Sequence, residues 1–223
     1  MKKSAIIISI LCFITLQSYD TKPIANSNNI LSNAMQLSNK LNINDEAVRF
    51  ALDGYQKLLE QGRLINQRYL TIADFSKPSS EERFYIIDME SEEMVIQTLV
   101  AHGKNSGTLF AKSFSNKNES NKSSLGFYIT GNIYQGKHGR SLSLNGVENG
   151  INDKAAQRAI VLHGAGYVSK SAIRKTGYLG RSQGCPAVPE SQVQDIINTI
   201  QGESCLFIYA PDKNYQKQSK LIG

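Results

Sequence analysis

The apolar periodicity of the chain changes partway along, and that change restricts the folds open to it. Before Gly62 apolar residues recur at helical spacing, whereas after Pro78 they come in short runs rich in β-branched and aromatic residues. The runs are Phe84 to Asp88, Met94 to Ala101, Gly126 to Thr130, Ser141 to Leu144, Ala159 to His163 and Cys205 to Tyr209. The acidic stretch Glu90 to Glu93 separates the first two as a hairpin turn would. One helix fits this half, Glu190 to Ile200, with Val193, Ile196, Ile197 and Ile200 on one face. Many short strands with few helices predict a mainly β (α+β) domain. The expected form is a mainly antiparallel or mixed β domain with peripheral helices, not an alternating βαβ fold.

Two helical patterns precede the strands. Ile30, Ala34, Leu37 and Leu41 give a weak one between Asn26 and Asn44. The next is stronger: Asn44 caps it, Asp45 and Glu46 suit its first turn, Val48, Ala51, Leu52, Tyr55 and Leu59 form its stripe, and Gly62 ends it. The first residues read as an export signal, with Lys2 and Lys3 ahead of an uncharged apolar run from Ala5 to Leu16. About 20 apolar residues are needed to cross a bilayer, so no stable membrane span is expected after cleavage. The expected organisation is 1–22 signal, 23–66 helical segment and 67–223 main domain, exported to the periplasm or cell envelope. Lys and Arg are scattered, and no basic stripe interleaved with aromatics suggests nucleic acid. The oligomeric state is not legible.

Of three cysteines, Cys12 falls in the export segment. Cys205 sits in a buried-strand pattern, Cys205-Leu206-Phe207-Ile208-Tyr209, and reads as a small core hydrophobe. Cys185 stands instead in a Gly-rich turn, Gly180-Arg181-Ser182-Gln183-Gly184-Cys185-Pro186. Upstream, Ile160-Val161-Leu162-His163-Gly164-Ala165 delivers a histidine to the end of an apolar strand. A thiol is mostly protonated at neutral pH, so an imidazole within reach activates it, here expected as an ion pair favouring thiolate. Gly184 lets the backbone turn tightly and aim amide N–H groups at an oxyanion. Ser182 orients the thiol, the imidazole or a substrate carbonyl, or else closes the turn with its hydroxyl. Arg181 binds a substrate carboxylate or is an ordinary surface charge. No CxxC or HExxH is present, so a closed zinc site lacks ligands.

His163 followed by Ser182-Gln183-Gly184-Cys185 resembles the murein L,D-transpeptidases with a YkuD-like catalytic domain, in a branch carrying Gly-Arg-Ser-x-Gly-Cys-Pro. The resemblance extends from about Asn44 to Tyr215 and implies a YkuD-like β-sandwich of mixed or antiparallel sheets with peripheral helices and an N-terminal helical segment. Two positions depart from the family pattern: Gln183 replaces a His, and Pro186-Ala187 replaces Asn or Arg. The resemblance implies a cysteine acyltransferase acting on peptidoglycan tetrapeptide stems, as an L,D-transpeptidase forming 3-3 crosslinks or as an L,D-carboxypeptidase. It implies Cys185 as nucleophile, His163 as base, and Ser182 and Gly184 as further catalytic residues. Arg181, Gly164, Tyr134 and His138 are then expected to bind substrate. Neither metal nor organic cofactor is implied, and carbapenems are expected to acylate Cys185. The alternative is a catalytically inactive wall-binding module of the same fold. The segment from Gly103 to Ser124, rich in Gly, Ser, Asn and Lys, reads as a lid or a mobile surface loop.

Overall fold

The structure, a computed structural model, describes residues 27–223. The export segment and Cys12 lie outside the described residues.

Two helices come first, α1 (Ser27–Leu41) and α2 (Asp45–Glu60). Asn44 caps α2 as expected, its side chain accepting from the Ala47 amide at 3.0 Å. At the other end Gly62 takes a φ of +64°, which glycine adopts without steric cost. The buried face of α2 is wider than its predicted stripe. Ala47, Val48, Phe50, Ala51, Gly54, Tyr55 and Leu58 are buried, while Leu52 and Leu59 lie at its edge. Gly54 sets how close the helix comes to the sheet, since a Cβ there would lie 2.0 Å from the Phe127 ring. Phe127 in turn stacks on Phe207 at 4.3 Å, and Tyr209 donates a hydrogen bond to Glu46, tying α2 to the sheet beneath it.

The strands are β1 (Tyr69–Asp74), β2 (Phe84–Asp88), β3 (Glu93–Thr98), β4 (Gly126–Gly136), β5 (Gly139–Gly146), β6 (Val161–Gly164), β7 (Ala187–Val188) and β8 (Cys205–Tyr209). The mixed α+β class is as expected. Among the described residues the strands hydrogen-bond as one eight-stranded sheet in the order β3-β2-β1-β8-β4-β5-β6-β7. The β1–β8 and β6–β7 pairs are parallel and the others antiparallel. Two strands escaped the sequence reading: β1, whose start follows a polar linker, and β7, which is two residues long.

Three helices follow the early strands: α3 (Lys170–Thr176), α4 (Val193–Ile200) and α5 (Lys213–Gln218). Only α4 was expected. Its Ile196, Ile197 and Ile200 are buried. By contrast α3 buries no residue and is held by its ends, with Ser169 accepting from the Ala172 amide and Gly177 in the left-handed region. Asp212 caps α5 in the same manner. Helices defined by caps rather than by an apolar stripe leave little periodicity to read.

Behind the functional end of the sheet lies a buried cation. Arg83, wholly buried, donates to the carbonyls of Lys77 at 2.7 Å and Val100 at 3.0 Å and to Nδ1 of His102 at 2.8 Å. His102 therefore carries its proton on Nε2, which donates to the Gly107 carbonyl at 3.2 Å. Burial, then the Arg83 charge, lowers the His102 pKa to about 4. In the unfolded chain it titrates near 6.5. Between these values only the unfolded state binds the proton, so this contribution is complete above pH 6.5 and lost as pH falls toward 4. Asp74 and Glu148, held above the usual carboxylate range by burial, act in the opposite sense. The wild type is therefore expected to lose about 3 kcal/mol more than His102→Gln between pH 6.5 and 4. Denaturant unfolding at the two pH values measures this, and equal losses would remove His102 from the account.

Candidate active site

Strand pairing brings the two sequence-predicted centres together. On the parallel β6–β7 pair, His163 is register partner to Ala187, two residues beyond Cys185. On its other side His163 pairs with Ser141 of β5. His163 and Cys185 both line one cavity of about 1160 Å³, together with Ser182, Arg181, Tyr134 and His138. That volume exceeds what a single small metabolite needs. Cys185 is half-buried, whereas Cys205 is wholly buried in β8; both thiols are free.

The cysteine turn is built by hydroxyls. Ser182 Oγ donates to the Cys185 carbonyl at 2.6 Å and accepts from the Gly184 amide at 3.0 Å. The turn-closing role of Ser182 is the one its hydrogen bonds show; neither ring nor thiol is its partner. Ser123 Oγ donates to the Gly184 carbonyl at 3.0 Å while accepting from the Gly103 amide. Gly184 does not line the cavity. It holds a φ of +127°, and a Cβ on it would meet the Lys122 carbonyl at 2.8 Å. Gly184→Ala is therefore expected to cost about 2–3 kcal/mol and to slow acylation of Cys185 by displacing the turn. A thermal melt with a rate measurement checks both, and an unperturbed variant would show the turn to be tolerant.

His163 is held from two sides. Its Nδ1–H donates to the Gly164 carbonyl at 2.9 Å, which leaves the Nε2 lone pair as acceptor in the neutral ring. The ring of His138 stacks on it, centroids 4.4 Å apart and planes 21° from parallel. Gly164 is thus buried and engaged with the imidazole; it is not among the residues lining the cavity, as its expected substrate contact required. His138 reaches the site from the tight turn joining β4 and β5, where Gly136 pairs with Gly139.

The electrostatics differ from the ion pair expected. Burial lowers the pKa of His163, the Gly164 carbonyl opposes this, and His138 and Lys137 lower it further. Burial also raises the Cys185 thiol, against stabilisation of the thiolate by the Val161 amide, Arg158, its own amide and Lys137. Both shifts favour a neutral thiol and a neutral imidazole at rest. The thiol's hydrogen-bond partner is the Ala159 carbonyl, at 3.7 Å. Ala159 itself has a φ of +52°, a conformation that costs a residue with a Cβ of order 1 kcal/mol.

Segment 103–124 is not a free lid. Lys104 N donates to Ser182 O at 2.8 Å, Ser182 N to His102 O at 3.0 Å and Ser123 N to Ser106 Oγ at 2.9 Å, so the segment braces the cysteine turn. Sequence reading missed the cavity residues Lys104, Lys137, Arg158 and Tyr167. Arg158 lies among turns without periodicity, and nothing in its neighbours announces a site. Among the described residues no group of three or more His, Cys, Asp or Glu is arranged to hold a metal ion, and no helix is long and apolar enough to cross a membrane.

The profile of the L,D-transpeptidase catalytic domain matches residues 39–209. No curated protein matches the chain. Similar solved structures include an L,D-transpeptidase from Mycobacterium smegmatis, 11% identical, TM-score 0.41, covering 64% of this chain and 59% of that one. An L,D-transpeptidase from Stackebrandtia nassauensis is 9% identical, TM-score 0.40, covering 83% and 80%. The helical cell shape determining protein from Campylobacter jejuni is 14% identical, TM-score 0.39, covering 65% and 49%. The chain thus spans less than two thirds of the Mycobacterium smegmatis and Campylobacter jejuni chains.

Proposed function

The chain belongs to the L,D-transpeptidase catalytic domain family, and on that premise we propose that it is an exported cysteine acyltransferase acting on peptidoglycan stem peptides. The observation that supports this reading most is the shared cavity of Cys185 and His163, with the imidazole oriented by Gly164 O. In this reading residues 67–223 form the catalytic unit and residues 23–66 the segment before it, whose helix α2 packs on the sheet.

Binding of a tetrapeptide stem brings the carbonyl of its third, diamino-acid residue to the sulfur. His163 Nε2 takes the thiol proton as the S–C bond forms, which a neutral imidazole is fit to do. The oxyanion is met by the Cys185 amide, because the Gly184 amide is already engaged by Ser182. Collapse breaks the C–N bond, and His163 returns the proton to the departing D-Ala amine. An amine of a second stem, or water, then attacks the thioester with His163 again accepting a proton, and the cysteine thiol is restored. The first outcome is a 3-3 crosslink and the second a trimmed stem.

The cavity's charge supports an anionic substrate. Lys104, Lys137, Arg158 and Arg181 line it against one carboxylate, Glu119. The ion pairs of the described residues lie elsewhere, so these cations are uncompensated. Arg181 rests over the Tyr178 ring, with a contact of 3.5 Å to Gly107 O. Purified muropeptides resolved by mass test the reading: a crosslinked dimer or a tripeptide product supports it, and neither product would favour an inactive wall-binding module. Stems amidated at the diamino-acid carboxylate are expected to react roughly tenfold more slowly, as loss of one charge-assisted hydrogen bond of about 1.5 kcal/mol implies. Added salt should narrow that difference.

A further inference from the structure

The geometry points to Arg158 as a positioning residue for Cys185, fixing the segment against which the cysteine turn is packed and setting a positive charge beside that turn. This rests on the reading of Cys185 as nucleophile. The guanidinium fork is occupied on both arms. Nη1 donates to the Ser115 carbonyl at 2.7 Å and to Ser124 Oγ, while Nη2 donates to Ser120 Oγ at 3.2 Å and to the Lys122 carbonyl. One side chain thereby gathers four residues of segment 103–124.

One of those contacts leads to the cysteine turn, and the backbone leads to the thiol. Lys122 O, held by Nη2, is the atom a Gly184 Cβ would strike, and Nη2 itself lies 3.2 Å from that same point. The next residue along the chain is Ala159, whose carbonyl accepts the Cys185 hydrogen bond. Arg158 therefore approaches the cysteine turn through its fork and the sulfur through its backbone neighbour. Among the described residues no carboxylate pairs with it, so its charge is not cancelled at short range. A positive charge beside the cysteine turn favours the thiolate of a thiol that burial pushes up.

Other groups around the cavity set the background. Lys137 and His138 come from the β4–β5 turn, His163 from β6, Tyr167 and Arg181 from either side of α3, and Tyr128 from β4. Lys104 and Glu119 complete the charged lining. Of these cations Arg158 is the one built into the scaffold by several hydrogen bonds, which fixes where its charge sits.

Arg158→Gln and Arg158→Lys separate charge from scaffold. The readout is iodoacetamide alkylation of Cys185 against pH, which needs no wall substrate, with hydrogen exchange of residues 115–124 alongside. Arg158→Gln is expected to move the thiol titration up by about one unit, a roughly tenfold loss of thiolate at neutral pH. Arg158→Lys should keep the titration near wild type yet lose protection in 115–124, because an ammonium cannot span both arms of the fork. A titration unmoved in Arg158→Gln, or moved equally in both variants, would overturn the proposal. Should alkylation shift as expected while muropeptides stay unreacted, the role of Arg158 stands and the proposed wall activity fails.

Discussion

Cys185→Ala is expected to leave no covalent adduct after exposure to a carbapenem under conditions that acylate the wild type completely. The loss should exceed ten-thousandfold in rate, because a side chain without a nucleophile cannot form the thioester at all. Stability should change by only about 1 kcal/mol, since Cys185 is half-buried and a single sulfur is removed. Intact-mass spectrometry with circular dichroism reads both quantities. Cys205 supplies an internal control. It is wholly buried in β8, and burial, then the Glu148 charge, pushes its thiol far up. An adduct persisting in Cys185→Ala would place the reactive thiol elsewhere and contradict the assignment.

His163→Ala should be nearly as damaging. Positioned acid–base groups contribute roughly a hundredfold to ten-thousandfold, and acylation is expected to slow within that range. The pH dependence carries more information than the rate. In the wild type, burial holds the imidazole below its ordinary value, so acylation should persist below pH 6.5 and fail only under more acidic conditions. In His163→Ala the thiol must lose its proton to solvent, and its own pKa is raised. The variant's rate should therefore climb about tenfold per pH unit through neutrality, where the wild type is flat. Stopped-flow acylation across pH 5–9 measures both profiles. A shared profile would remove the imidazole from the reaction.

These expectations rest on a site whose two centres were legible before the fold was known, for a physical reason. An apolar strand ending in His163 and a Gly-rich turn ending in Cys185 are local patterns, and local patterns are what a sequence displays. Strand β8 and the capped start of α2 were readable on the same grounds. What escaped depends on partners distant in sequence. Strand β7 is two residues long and exists only through β6 and the Ala101 bridge. The bracing of the cysteine turn by Ser123, sixty-one positions earlier, has no local signature. Arg158 is similar, because its meaning comes from four residues of another segment. The lowered imidazole and raised thiol were not legible either, because burial, which disfavours both charged forms, is a property of the folded chain.

The imidazole adjoining His163 is that of His138 on the β4–β5 turn, stacked on its face. His138 was expected to bind substrate, and its place in the cavity is compatible with that role. Its contact with His163 adds a link that spacing in the sequence did not suggest.

The most direct test is to incubate wild-type protein with a purified tetrapeptide stem, quench in acid, and map the protein by mass. The account predicts a tripeptidyl thioester on Cys185, formed with release of one D-Ala and absent from Cys185→Ala. Turnover of the stem with no acyl group ever trapped on Cys185, or an acyl group on a different residue, would contradict it.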